Sequence, residues 1–137
     1  MTQTMIILTD NIFNTKLNRN DRKLKIWRYA GLMLTYKCTA QCRFCYYHCG
    51  PDSSGCMPVE MALEAWESMI SLAGERTSIH ITGGEPFLYF NNLYEILSKA
   101  QQKELPALDS LETNGFWATH EKETVEKLSI LKKLRIK

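Results

Sequence analysis

The chain has 137 residues, 45% of them apolar, and a formal net charge of +2 from 17 basic and 15 acidic residues. That length suits one modest domain burying roughly two thirds of its unfolded surface, and a charge so nearly balanced leaves no electrostatic footprint for nucleic acid. The apolar patch at residues 5–8 is followed at once by Thr9, Asp10 and Asn11. It is too short for a signal-peptide core or a bilayer span, so no membrane is expected and a cytoplasmic protein is the default.

Residues 1–29 have no clean period and carry Lys16, Arg19, Arg22, Lys23, Lys25 and Arg28. They read as a solvated or partly disordered leader rather than a basic arm. Residues 30–137 read as one unit. Its first strand spans 30–35, and residues 36–57, rich in Cys, Gly, Pro, Asp and Ser, form a long loop of the kind that carries function. Pro58 suits a first helical position, and Val59, Ala62, Leu63, Trp66, Met69, Ile70 and Ala73 follow at helical spacing until Gly74. A second strand at 78–82 leads into a loop over 83–91, then a helix whose apolar stripe is Leu93, Ile96, Leu97 and Ala100, ending before Pro106. The plan repeats with a strand at 107–113, a loop at 114–118 and a helix that opens on Thr119 as N-cap, with Val125, Leu128, Leu131 and Leu134 facing inward. Strands alternating with helices predict an α/β fold of parallel βαβ units. Three such units leave exposed sheet edges, so the fold reads as unfinished.

The chemistry starts in the long loop. Cys38, Cys42 and Cys45 are spaced C-x3-C-x2-C. Three thiolates can hold three irons of a [4Fe-4S] cube and leave the fourth open to a ligand. Five cysteines is an odd number, no export signal precedes them, and three crowd into eight residues, which argues against a disulfide framework. Cys49 extends the pattern to C-x3-C-x2-C-x3-C, so a closed four-thiolate cluster of ferredoxin type stays open, as does zinc on the same thiols. Cys49 and Cys56 read as small polarizable residues packed in the loop rather than as ligands, and His48 as a solvated histidine.

Parallel α/β folds gather the loops after the strand C-termini on one face, so the cysteine loop should neighbour the loops that begin at Gly83 and Thr113. Gly83 and Gly84 permit positive φ and close backbone approach. Pro86 drives Glu85 toward an extended conformation with its carbonyl and carboxylate displayed, a setting that suits a ligand's ammonium group. Thr113-Asn114-Gly115 reads either as part of that site or as an ordinary turn. On the second strand, if Ile79 and Ile81 face the helices, His80 and Thr82 point the other way, where Glu112 can join them as substrate contacts.

The order Cys38-x3-Cys42-x2-Cys45, Gly83-Gly84-Glu85-Pro86, Thr113-Asn114-Gly115, each after a strand, resembles the radical S-adenosylmethionine (radical SAM) enzymes over residues 30–137. The resemblance implies a partial (β/α) barrel of radical SAM type, of which about three of about six strand–helix units are present. The other half would come from further sequence or a partner. It implies that Cys38, Cys42 and Cys45 ligate the cluster and that the open iron chelates the amino and carboxylate groups of S-adenosylmethionine. Phe44 would lie near the adenine, and Gly83, Gly84, Glu85 and Pro86 would meet the methionyl ammonium, with Glu85 the most direct polar contact. Thr113 and Asn114 join the cofactor-binding set. The activity implied is reductive cleavage of SAM to a 5′-deoxyadenosyl radical that abstracts hydrogen from a small-molecule or peptide substrate, with electrons from a flavodoxin or ferredoxin. No general acid or base is needed for that first step, so no catalytic side chain is assigned.

Overall fold

The computed structural model describes residues 28–136, so the leader expected over 1–29 lies outside the described residues except for Arg28 and Tyr29. Strands β1 (Tyr29–Met33), β2 (Ser78–Thr82) and β3 (Ser110–Leu111) form one parallel sheet in the order β1-β2-β3. Helices α1 (Val59–Ala73), α2 (Phe90–Gln102) and α3 (Glu121–Lys133) follow the strands in turn, and a 3-10 turn (Pro86–Tyr89) links β2 to α2. Right-handed crossovers between sequential parallel neighbours place the helices on one side of the sheet. The core confirms this: Leu32, Leu34, Ile79 and Ile81 share one cluster with Leu63 and Trp66 of α1, Leu93, Ile96 and Leu97 of α2, and Leu131 of α3. Among the described residues no helix is long and apolar enough to cross a membrane.

The local chemistry explains the boundaries. Pro58 does not open α1 from within. It precedes the helix with non-helical ψ 147°, and its carbonyl accepts the Ala62 N–H at 3.1 Å. Gly74, at φ 88°, takes the left-handed conformation that stops α1, its N–H donating to Ile70 O at 2.7 Å. The α1 and α2 helices lie side by side and are tied by Lys99 to Glu60 and Lys103 to Glu67. These exposed pairs fix alignment more than stability.

Four further expectations shift. The first strand, expected at 30–35, is Tyr29–Met33, although the Leu34 N–H still donates to Thr82 O at 2.9 Å and carries the pairing onward. The third strand, expected at 107–113, shrinks to Ser110–Leu111, bracketed by Asp109 N–H on Ile79 O and Glu112 N–H on Ile81 O. Its approach is diverted because Leu108 bridges Ile136 instead. The cap of α3 is His120, not Thr119: His120 is extended, and its carbonyl accepts both the Thr124 N–H and the Thr124 hydroxyl. Val125 and Leu128, expected inward, are 55% and 51% exposed, while Leu131 is buried. The α3 helix joins the common core through Leu131, with Leu134 partly buried against it, and the rest of its stripe is left uncovered.

Candidate functional site

The loops after the strand C-termini meet on one rim, as expected. The first contact is between backbones. Gly84 N–H donates to Thr35 O at 2.7 Å and Glu85 N–H to Lys37 O at 2.9 Å, prolonging the β1–β2 pairing into the loops. Here the glycines are obligatory. Gly83 has φ 134°, and a Cβ on it would collide with the Thr35 carbonyl, as one on Gly84 would with the Lys37 carbonyl. The loop after β2 is thus pressed against the entrance of the cysteine loop.

Glu85 then ties in the third loop. It is extended, φ −133° and ψ 102°, as the following proline demands. Its carboxylate is not displayed as expected, however: the residue is fully buried. One oxygen accepts the Phe87 N–H at 3.0 Å, both accept the Thr113 hydroxyl at 2.9 and 3.0 Å, and the other accepts the Asn114 N–H at 2.7 Å. A buried carboxylate is costly unless its lone pairs are filled, and here donors from two loops fill them. Glu85 is a latch between the Gly83 loop and the Thr113 loop. Trp117 reinforces the latch, stacking on Phe87 at 4.1 Å between ring centroids and donating its indole N–H to Thr113 Oγ1 at 3.0 Å. Sequence reasoning missed Trp117; a large aromatic two residues past an Asn-Gly turn is its only signal.

The cysteine loop is closed at its stem by Met57 N–H on Leu34 O, the Thr35 hydroxyl on Gly55 O, and Cys38 N–H on Gly50 O. Above the stem run two consecutive turns, Cys45 N–H to Cys42 O and His48 N–H to Cys45 O, and then His48 adopts φ 53°. That left-handed step turns Cys49 inward, where it is 5% exposed. Cys42 and Phe44 are exposed, Phe44 to 89%, and Cys38 and Cys45 are half-buried. Cys42, Cys45, His48 and Cys49 line a shallow open recess with Gln41 and Arg43.

The thiols differ in proton affinity. The Cys49 N–H donates to Cys45 Sγ at 3.3 Å and, with further backbone donors, lowers the Cys45 pKa, favouring the thiolate. Burial, and then the nearby Cys45, push Cys49 up to about 11. Cys56 is also raised by burial, and Asn92 holds it by an amide N–H at 3.1 Å while bonding Met57 O at 2.9 Å. Cys38 Sγ accepts Ala40 N–H at 3.4 Å, and Asn114 Nδ2, which also donates to Thr39 Oγ1 at 3.0 Å, reaches the same sulfur at 3.6 Å.

Among the described residues no three His, Cys, Asp or Glu side chains already converge as a ligand set for a metal ion. The donor chemistry nevertheless fits an iron–sulfur cluster. The unpaired thiols of Cys38, Cys42 and Cys45 stand on one loop, and Cys38 and Cys45 accept backbone N–H bonds of the kind that tune cluster thiolates.

Residues 32–137 match the sequence profile of the Radical SAM superfamily. The chain belongs to that superfamily. Among curated proteins, this radical SAM chain is similar to the cysteine-type anaerobic sulfatase-maturating enzyme of Clostridium perfringens strain 13, with 32% identity over 87 residues. A second strain, ATCC 13124, carries a like-named protein that matches equally. The aligned stretch is 57% of this chain and 24% of each relative, so the chain spans about a quarter of the length of the proteins it matches.

On the sheet face away from the helices, the structure brings together the residues that strand alternation grouped. The Thr82 hydroxyl donates to Glu112 Oε2, and His80 Nε2 lies 3.7 Å from Glu112 Oε1. Tyr29 stacks on the His80 ring at 4.7 Å. Gly31, paired with His80 across the sheet, makes room for that ring: a Cβ there would stand 2.7 Å from the imidazole Cε1 and Nε2.

Proposed function

We propose that this chain is part of a radical SAM enzyme, its strands forming the first half of a partial (β/α) barrel completed by further sequence or a partner. Cys38, Cys42 and Cys45 hold a [4Fe-4S] cluster, with Cys49 left as a protonated, packed thiol. Together the cluster and SAM supply a 5′-deoxyadenosyl radical that abstracts hydrogen from substrate, with electrons from a flavodoxin or ferredoxin. The protein's own part is to bind and orient. The backbone of Gly83, Gly84 and Pro86 meets the methionyl ammonium, and Glu85, with Thr113 and Asn114, fixes that backbone against the cluster loop. Phe44 is free to lie against the adenine. The relatives' named activity, sulfatase maturation, acts on a protein, and this favours a peptide over a small molecule as substrate.

The observation that carries the reading is the packing of the Gly83 loop onto the cysteine-loop stem, with the Thr113 loop latched to it through Glu85. A closed four-cysteine electron carrier would have no use for that arrangement. Electron paramagnetic resonance on anaerobically reconstituted, dithionite-reduced protein, with and without SAM, tests it. SAM is expected to change the cluster spectrum, and Cys49→Ala to respond identically. A spectrum indifferent to SAM in both proteins counts against SAM binding at an open iron by this chain alone, and a cluster lost or altered in Cys49→Ala refutes three-thiolate ligation in favour of four.

A further inference from the structure

We propose that the face of the sheet opposite the helices binds a cationic group of the substrate, an ammonium or guanidinium, with Glu112 as the anionic anchor and the Tyr29–His80 stack as its wall. The proposal names a substrate class and rests on the radical SAM reading, in which this face looks into the reaction chamber.

The contrast with Glu85 shows why Glu112 is available. Glu85 is buried with both oxygens filled by donors. The Glu112 side chain is 59% exposed. Its Oε2 takes the Thr82 hydroxyl, while its Oε1 faces only His80 Nε2, at 3.7 Å and beyond hydrogen-bond reach. Among the described residues no lysine or arginine pairs with it. An ordinary surface carboxylate is a mobile group in water, but this one is tethered by a buried threonine, so much of the entropy of fixing it is already lost.

His80 is the second, independent pointer. It is 8% exposed on this face, its Nε2 turned toward Glu112, and its Nδ1 is buried without a hydrogen-bond partner among the described residues, so the ring is held by packing and stacking rather than by a full set of hydrogen bonds. Tyr29 covers the His80 ring and is itself 54% exposed, forming an aromatic wall beside the carboxylate. An exposed carboxylate beside a half-exposed aromatic stack attracts cations and repels carboxylates. The position is also apt. Thr82 immediately precedes Gly83, and Glu112 immediately precedes Thr113, so an anchored group sits about one residue rise, ~3.3 Å along the strands, below the rim.

The test is titration of the full chain with n-butylammonium and n-butylguanidinium, with butyrate and butanol as controls, read in the imidazole nitrogen signals of His80 by NMR. Both cations are expected to shift those signals saturably, and butyrate to leave them in place. Glu112→Gln keeps an acceptor for Thr82 and should weaken cation binding by about fivefold, the scale of one partly exposed ion pair. Tyr29→Leu should also weaken it, and Glu121→Gln should not. Equal shifts from butyrate or butanol, or undiminished binding to Glu112→Gln, overturn the proposal. The titration needs no cluster and no SAM, so its failure is separate from failure of the paramagnetic resonance experiment.

Discussion

Alternate residues of the same strands build two sheet faces of opposite character. The face toward the helices is closed by Leu32, Ile79 and Ile81 against Trp66, Leu93 and Leu97, all buried. The other face carries Tyr29, Gly31, His80, Thr82 and Glu112, polar or ring-bearing groups tied to one another by hydrogen bonding and stacking. A strand with helices over both faces reads as a continuous apolar run. In Ser78–Thr82 the alternation of isoleucine with histidine and threonine says instead that one face is reserved. Stability resides on the first face and, in the proposed reading, recognition on the second.

Mutations should divide along the same line. Trp66→Ala removes the largest fully buried side chain among the described residues and is expected to cost about 3–5 kcal/mol, a large share of a small domain's stability, measured by chemical denaturation. A loss below about 1 kcal/mol would mean the helix face is not the core. Gly84→Ala sets a methyl group against the Lys37 carbonyl. The cost should be about 1–3 kcal/mol, and iron loading should fall because the cysteine-loop stem is displaced. If Gly84→Ala loads iron normally, the two loops do not depend on each other.

The two carboxylates give the sharpest contrast. Glu85→Gln turns an amide N–H₂ toward the Thr113 and Asn114 donors and should cost about 1–3 kcal/mol. Glu112→Gln, open to solvent, should stay within about 0.5 kcal/mol of the parent. Equal costs would erase the distinction between latch and anchor. Among the smallest effects, Val125→Lys and Leu128→Lys on the uncovered side of α3 should also stay within about 0.5 kcal/mol.

The thiols can be ordered without a stability measurement. In the cluster-free chain, alkylation followed by mass spectrometry should modify Cys45 at lower pH than Cys49, because backbone donors favour the Cys45 thiolate while burial holds the Cys49 proton. The sign for Cys49 follows from its raised folded pKa. Its contribution to stability is full below the ordinary thiol pKa and is lost as pH rises toward about 11. Cys49 reacting before Cys45 would contradict the inward turn at His48.

The sequence alone determined the element order, the helix-facing stripes of α1 and α2, and the cysteine spacing, because each is a local pattern: period, punctuation or short-range donor set. It also grouped His80, Thr82 and Glu112, since strand alternation carries across a parallel sheet once the pairing is fixed. Tertiary structure alone decided where Glu85 points. Pro86 sets the backbone of Glu85, but its carboxylate turns inward because Thr113 and Asn114, distant in sequence, bring the donors. Only the tertiary structure, likewise, left Val125 and Leu128 exposed while burying Leu131. Helical periodicity marks which residues share a face; what covers that face depends on the elements packed against it, and α3 meets the core through Leu131, its one buried residue.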